Sequence, residues 1–93
     1  MITTFIQEHK LVKRSDGKRG RHGYQKQWRV RIYKKETTGS YLVVTYWGRG
    51  ESGLFSLQSK TVEATPYLSV AQCAAAELVR AKKDKGYLEC ETV

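Results

Sequence analysis

Trp47 and Arg49 are the residues of this 93-residue chain whose types and spacing point most directly to chemistry. They follow the run Tyr41–Tyr46, whose aromatic and β-branched residues predict a strand. Side chains two apart on a regular strand point to the same face. An indole can stack on a sugar or base while a neighbouring guanidinium holds a phosphate. The alternative is that Trp47 anchors the core and Arg49 is a solvated strand end.

The positive charge of the chain is concentrated in one third of its length. The net charge is +8, yet residues 10–35 contain eleven Lys or Arg and one acid, which leaves the remainder at about −2. Such a basic region predicts a polyanionic partner, nucleic acid ahead of a membrane. A merely solvated surface would mix the two signs more evenly.

The segment Gln27–Lys34 alternates with a period of two and predicts a strand. Trp28, Val30 and Ile32 would face the core, and Arg29, Arg31 and Tyr33 would form a cationic and aromatic outer face. Arginines on an exposed strand are also common as solvated residues, so this interpretation depends on its surroundings.

Residues 14–24 carry three glycines among basic side chains and predict a turn or loop, with Asp16-Gly17 as a turn pair. Glycine and arginine together can wrap a phosphate backbone, and a solvated hairpin tip is the alternative. We therefore predict that the following residues contact nucleic acid: Lys18, Arg19, Arg21, Lys26, Arg29, Arg31, Trp47 and Arg49.

The remaining segments predict an α+β fold, an antiparallel sheet of about five strands with one C-terminal helix packed on one face. Further strands are expected at 5–13, 54–62 and 87–91, with Leu42, Val44 and Tyr46 facing the core. The helix is expected over 69–85, with Ser69 and Gln72 as a capping box and Gly86 ending it. Its apolar stripe would be Val70, Ala71, Ala74, Ala75, Leu78 and Ala81.

Several classes of function have little support. Cys73 and Cys90 are too far apart for a zinc site, and Cys73 should be a buried apolar group within the helix. Both thiols are expected to be reduced in the cytoplasm. We expect no signal peptide, membrane span, cofactor or small-molecule substrate. No carboxylate, Cys-His or Ser-His arrangement suggests an enzyme.

Trp47-Gly48-Arg49 at the end of a strand resembles the WGR domain, which is named for that tripeptide. Lys26-Gln27-Trp28 is similar to the strand start of that family, and Lys85–Glu89 to its ending. The resemblance extends from Gln25 to Glu89, most of a chain that we expect to be a single domain over residues 1–93. It also includes the Gly/Ser-rich turn Gly50–Gly53 and the expected helix.

The resemblance implies a small antiparallel sheet with one helix. In the DNA-dependent poly(ADP-ribose) polymerases this module binds DNA ends, and it also occurs in bacterial proteins resembling the molybdate-metabolism regulator. The residue matching Trp47 packs on a terminal sugar, and that matching Arg49 serves a phosphate or a neighbouring domain. The resemblance implies no catalysis, because no ADP-ribosyltransferase domain fits in this chain.

Two hypotheses follow for function. The first is a stand-alone nucleic-acid-binding module, with DNA favoured, that uses a basic and aromatic sheet face. The second is a protein-interaction adaptor that docks on an acidic protein surface.

Overall fold

A computed structural model describes residues 3–14, 25–49 and 53–92. The strands are β1 (Thr3–Arg14), β2 (Gln25–Lys35), β3 (Ser40–Arg49), β4 (Gln58–Thr65) and β5 (Leu88–Thr92). A 3-10 helix (Leu54–Ser56) precedes β4, and the helix α1 (Leu68–Asp84) lies between β4 and β5. The strands form one antiparallel sheet in the order β4-β3-β2-β1-β5, and α1 packs across β2, β3 and β4. The predicted α+β class is confirmed.

The core lies between α1 and the sheet. Trp28, Val30 and Ile32 of β2 are almost fully buried, as their alternation predicts. Leu11 of β1 lies directly opposite Trp28 and is also buried. The other buried apolar side chains are Val43 of β3 and Ala71, Ala75 and Val79 of α1. Small alanines allow the helix to approach the sheet closely, and large side chains of the sheet fill the space.

The predicted orientation of β3 is wrong. Val43 and Thr45 are buried beneath α1, whereas Leu42, Val44 and Tyr46 point to the opposite face. Both sets of alternate positions in Tyr41–Tyr46 contain apolar residues, so alternation within the strand does not decide between them. The register with β2 decides, because directly opposed residues of antiparallel strands share a face.

The start and the buried stripe of α1 also differ from the prediction. Tyr67 occupies the N-cap position without a side-chain cap, so Ser69 lies inside the first turn. The Tyr67 N–H instead donates to the Thr65 hydroxyl at 3.2 Å. The buried positions follow a spacing of four, at Ala71, Ala75 and Val79.

This spacing leaves other predicted helix contacts in solvent. Val70, Cys73 and Ala81 are exposed, and the prediction of a buried Cys73 is wrong because position 73 lies away from the stripe. Gly86 has a φ of +94°, as expected for the left-handed residue that ends a helix.

The predicted strand over 54–62 is displaced along the chain. Leu54–Ser56 forms the 3-10 helix, and β4 begins only at Gln58 and continues to Thr65. β4 is an edge strand, and all of its side chains except that of Thr65 are exposed. Because neither face of this strand is buried, its sequence is not required to alternate between apolar and polar residues. Residues 50–52 of the predicted turn lie outside the described residues.

Candidate functional site

A groove of about 640 Å³ lies where β2 begins and β3 ends, between the sheet and α1. The strands contribute Lys26, Gln27, Trp28, Thr45, Trp47, Gly48, Arg49 and Val62 to its lining. Leu78, Lys82 and Tyr87 line it from the helix and from the segment that follows the helix. The groove therefore brings the Trp47-Gly48-Arg49 tripeptide together with the C-terminal part of α1.

Aromatic side chains form much of the groove. Trp47 lies directly opposite Trp28 in the register of β2 and β3, so both indoles lie on the face covered by α1. Trp28 is buried, while Trp47 is half-buried and packs against the edge of the core. Tyr87 is also half-buried and packs against the same core. Trp47 thus contributes to the core and remains accessible in the groove.

Lys82 is held close to these rings. Its Nζ atom lies 5.7 Å from the centre of the Trp28 ring and 5.4 Å from the centre of the Tyr87 ring. The Tyr87 N–H donates to the Lys82 carbonyl at 3.1 Å, which fixes the two residues beside each other. Burial, followed by the charge of Lys85, lowers the pKa of Lys82, so the groove does not fully solvate this ammonium.

Three further cations form a row across the sheet at the groove. Lys13 of β1 lies opposite Lys26 of β2, and Lys26 lies opposite Arg49 of β3. Lys13 Nζ lies 5.8 Å from the centre of the Tyr87 ring, on the same face. Among the described residues, no carboxylate forms an ion pair with any of the cations in this row or with Lys82. Like charges in opposed positions destabilise a sheet, and a bound anion would remove that repulsion.

A close contact beneath the groove accounts for Gly48. β3 continues through Gly48 without a break, so the glycine serves a close approach and not a bend. A Cβ atom placed on Gly48 would lie 2.6 Å from Cδ2 of Leu57, closer than side chains pack. The buried Gln27 amide donates to the Arg49 carbonyl at 2.7 Å and fixes the end of β3. The glycine thus leaves room for the Leu57 side chain against the end of β3.

Tyr87 is positioned by contacts of the residues around it. Glu89 of β5 accepts a hydrogen bond from His9 Nδ1 at 2.6 Å and forms an ion pair with Lys83, whose Nζ atom lies 3.0 Å away. These contacts join β1, the end of α1 and β5 immediately after Tyr87. The chain on both sides of Tyr87 is therefore anchored, and the Tyr87 side chain packs against the core between Lys13 and Lys82.

Arg29 and Arg31 lie on the opposite face of the sheet and are bound to Glu8. Glu8 is buried and its carboxylate accepts from Arg31 Nε, while Arg29 Nη1 lies 3.5 Å from the same carboxylate. Arg31 also donates to the Tyr33 hydroxyl at 3.2 Å and lies 4.8 Å from the centre of the Phe5 ring. Burial acts to lower the pKa of Arg31, but its bonds to Glu8 and Tyr33 outweigh burial and raise it.

The same polar network extends to Tyr46 on β3. The hydroxyls of Tyr33 and Tyr46 lie 3.0 Å apart. Burial, together with the hydrogen bond to Tyr33, raises the pKa of Tyr46 to about 12. The exposed face that the sequence predicts as a free cationic surface is therefore a set of arginines and tyrosines that already have partners.

The structure divides the predicted contact residues into three groups. Trp47, Arg49 and Lys26 meet in the groove, and Arg29 and Arg31 lie on the opposite face. Lys18, Arg19 and Arg21 lie outside the described residues. The prediction that Trp47 and Arg49 share a sheet face with Arg29 and Arg31 is wrong, because β3 has the opposite orientation to that expected.

Sequence reasoning did not include Lys13, Lys82 and Tyr87 among the candidate residues. The signal for Lys82 is its spacing, since 71, 75, 78 and 82 follow one side of a helix and the last of these positions is a lysine. The signal for Lys13 appears only in the pairing of β1 with β2.

The described residues contain no group of three or more His, Cys, Asp or Glu side chains that could hold a metal ion. Over residues 3–14, 25–49 and 53–92, no helix has the length and apolar character needed to traverse a bilayer. Comparisons with protein-family models, with curated proteins and with solved structures find no match to this chain.

Proposed function

We propose that this chain is a WGR-like module that binds nucleic acid, with DNA favoured, through the groove at the ends of β2 and β3. The observation that carries the proposal is the row Lys13, Lys26 and Arg49, which is completed by Lys82 and has no carboxylate partner among the described residues. Four cations around one aromatic groove suit a polyanion that also has flat apolar parts.

Each residue type has a distinct role in the proposal. Arg49 can engage two phosphate oxygens through its planar guanidinium, whereas Lys26 and Lys82 act as point charges. Trp47 offers an accessible indole on which a sugar or base stacks. Arg29 and Arg31 are not needed, because Glu8 already binds both on the other face. We further propose that the module works in the cytoplasm, where its cysteines would stay reduced.

The proposal is tested by titrating labelled DNA with the protein and with variants that remove two charges. Lys26→Gln with Arg49→Gln should weaken binding, since it removes two of the three cations that line the groove. Lys34→Gln with Lys35→Gln is the matched control, because it removes two cations from the far end of β2. The control pair should weaken binding much less than the groove pair.

If both double variants lose DNA affinity equally, the loss follows from net charge alone, and the groove is not the binding site. The alternative, an acidic protein partner docked in the same groove, predicts a pull-down that survives nuclease treatment and no binding to purified DNA.

A further inference from the structure

We infer that Lys82 is a site of acylation by acyl phosphates, and that its acylation lowers the affinity of the groove for nucleic acid. An acyl phosphate offers a phosphate group to the cations of the groove and a carbonyl carbon to an amine. The effect on nucleic acid rests on the proposed function, whereas the reactivity of Lys82 does not.

Lys82 has surroundings that activate a lysine as a nucleophile. Its side chain is half-buried in the lining of the groove, with Nζ 5.7 Å from the centre of the Trp28 ring and 5.4 Å from the centre of the Tyr87 ring. Partial burial, followed by the charge of Lys85, favours the neutral amine and lowers the pKa of Lys82. Desolvation and a neighbouring cation are two of the ways in which proteins make a lysine amine nucleophilic.

The groove also offers a place for the phosphate of the acyl donor. Lys26 and Arg49 line the same groove as Lys82, and none of the described residues in the lining is acidic. Arg49 can hold two phosphate oxygens through its planar guanidinium, and Lys26 adds a point charge. The groove volume of about 640 Å³ leaves room for a small acyl phosphate beside the Lys82 amine.

The reaction is an acyl transfer to nitrogen. The neutral Lys82 amine attacks the carbonyl carbon with its lone pair, and an amide bond forms. The bond between the carbonyl carbon and the oxygen of the phosphate group breaks, and phosphate leaves with that electron pair. The proton lost by the nitrogen passes to the departing phosphate, so no further reactant is needed.

The other lysines at this end of α1 lack these surroundings. Lys83 Nζ lies 3.0 Å from the Glu89 carboxylate, which favours its charged form, and neither Lys83 nor Lys85 lines the groove. We therefore expect acylation to select Lys82 from three lysines that lie within four residues of one another.

Acylation would change the groove in two ways. The amide carries no charge, so the groove loses one of its cations together with the cation–π contacts of Lys82 to Trp28 and Tyr87. The added acyl group also occupies space within the groove. Both changes oppose the binding of a polyanion.

The first test incubates the full chain with acetyl phosphate at constant ionic strength and follows each lysine by mass spectrometry. Lys82 should be acetylated faster than Lys83 and Lys85. Inorganic phosphate should slow the reaction at Lys82 by competing for the donor, and Lys26→Gln with Arg49→Gln should slow it too. The N-hydroxysuccinimide ester of acetic acid carries no phosphate, so its reaction with Lys82 should depend much less on both. Equal rates at the three lysines, or a Lys82 rate that responds neither to phosphate nor to the double variant, would overturn the inference.

The second test measures DNA binding after the same treatment. The affinity of the wild-type protein should fall as Lys82 becomes acetylated, and the slope of log K against log salt should fall by about 0.9 for the lost cation. Lys82→Arg keeps the charge and has no amine to acylate at this position, so its affinity should survive the treatment.

The outcomes separate the inference from the proposed function. If treatment weakens the wild type and Lys82→Arg equally, the regulatory effect of Lys82 is overturned and the proposed function stands. If neither untreated protein binds DNA, the proposed function and the regulatory effect fail together, and selective acetylation of Lys82 still stands or falls by mass spectrometry.

Discussion

Trp47 and Arg49 show how residue type and neighbourhood together define the candidate site. The sequence predicts that the two side chains share a face, and they do, but that face is the one beneath α1 and not the exposed one. The indole consequently packs against the core and also lines the groove. The interpretations of Trp47 as a core anchor and as a contact residue are compatible. The buried part of its ring packs against the core, and the exposed part is accessible in the groove.

Replacing Trp47 by alanine should therefore affect both stability and binding. We expect a loss of about 2 kcal/mol in the free energy of unfolding, below the ~3–5 kcal/mol for a fully buried aromatic. DNA binding should weaken by about 1–3 kcal/mol. Urea unfolding and DNA titration measure the two effects. Tyr67→Ala, which removes an exposed ring at the start of α1, is the control and should change neither strongly. Unchanged DNA affinity in a folded Trp47→Ala protein would exclude the indole as a contact.

Lys82 provides a pH-dependent test of the groove. Its pKa is lowered in the free protein, and a bound phosphate would favour the charged ammonium and raise it again. Binding then takes up a proton wherever free Lys82 is partly neutral, so affinity falls as the pH rises. The fall should begin below the ordinary lysine pKa of about 10.4. Titrations at constant ionic strength measure it.

Lys82→Arg supplies the comparison, since arginine stays charged throughout this range. The variant should keep its DNA affinity to higher pH than the wild type. If both proteins lose affinity in parallel, Lys82 is not a phosphate contact.

Among the elements, β2 was predictable and β3 was not, for a physical reason. Only one set of alternate positions in β2 is apolar, so its core face follows directly from Trp28, Val30 and Ile32. In β3 both sets contain apolar residues, and the pairing of Trp28 with Trp47 settles the orientation. Long-range pairing of this kind has no signal within a single strand. The row of Lys13, Lys26 and Arg49 likewise depends on the pairing of β1 with β2 and of β2 with β3, so no single strand predicts it.

The opposite face of the sheet illustrates a further limit. Arg29 and Arg31, at alternate positions of β2, predict a cationic surface. Glu8, about twenty residues earlier in the chain, pairs with both and accepts a hydrogen bond from Arg31. Its position follows from the register of β1 with β2, and Glu8 lies opposite Arg31. We therefore assign this face to stabilising the sheet, because a buried carboxylate with two guanidinium partners holds the strands in register.

Breaking this network should destabilise the fold. Arg31→Met should lower the free energy of unfolding by about 2 kcal/mol, less than the ~3–5 kcal/mol for a wholly orphaned buried charge, because Arg29 stays near Glu8. Adding Glu8→Gln should recover part of the loss, since the buried side chain that lost the Arg31 guanidinium then carries no charge. Urea unfolding of the two single variants and the double variant measures the coupling. Purely additive losses would show that Glu8 and Arg31 act independently.

For the whole molecule, the central claim is that phosphate is neutralised on the groove side of the sheet and not on the side of Glu8. Net charge alone does not distinguish the two sides, since cations lie on both. The slope of binding against salt does distinguish them, because each phosphate neutralised on duplex DNA contributes about 0.9 to the fall of log K with log salt.

The most direct measurement is that slope for the wild type, for Lys26→Gln with Arg49→Gln, and for Arg29→Gln with Arg31→Gln. We predict that the groove pair reduces the slope by about 1.8. The other pair should leave the slope unchanged while lowering stability. A reduced slope in the Arg29 and Arg31 pair with an unchanged slope in the groove pair, or wild-type binding that does not respond to salt, would contradict the account.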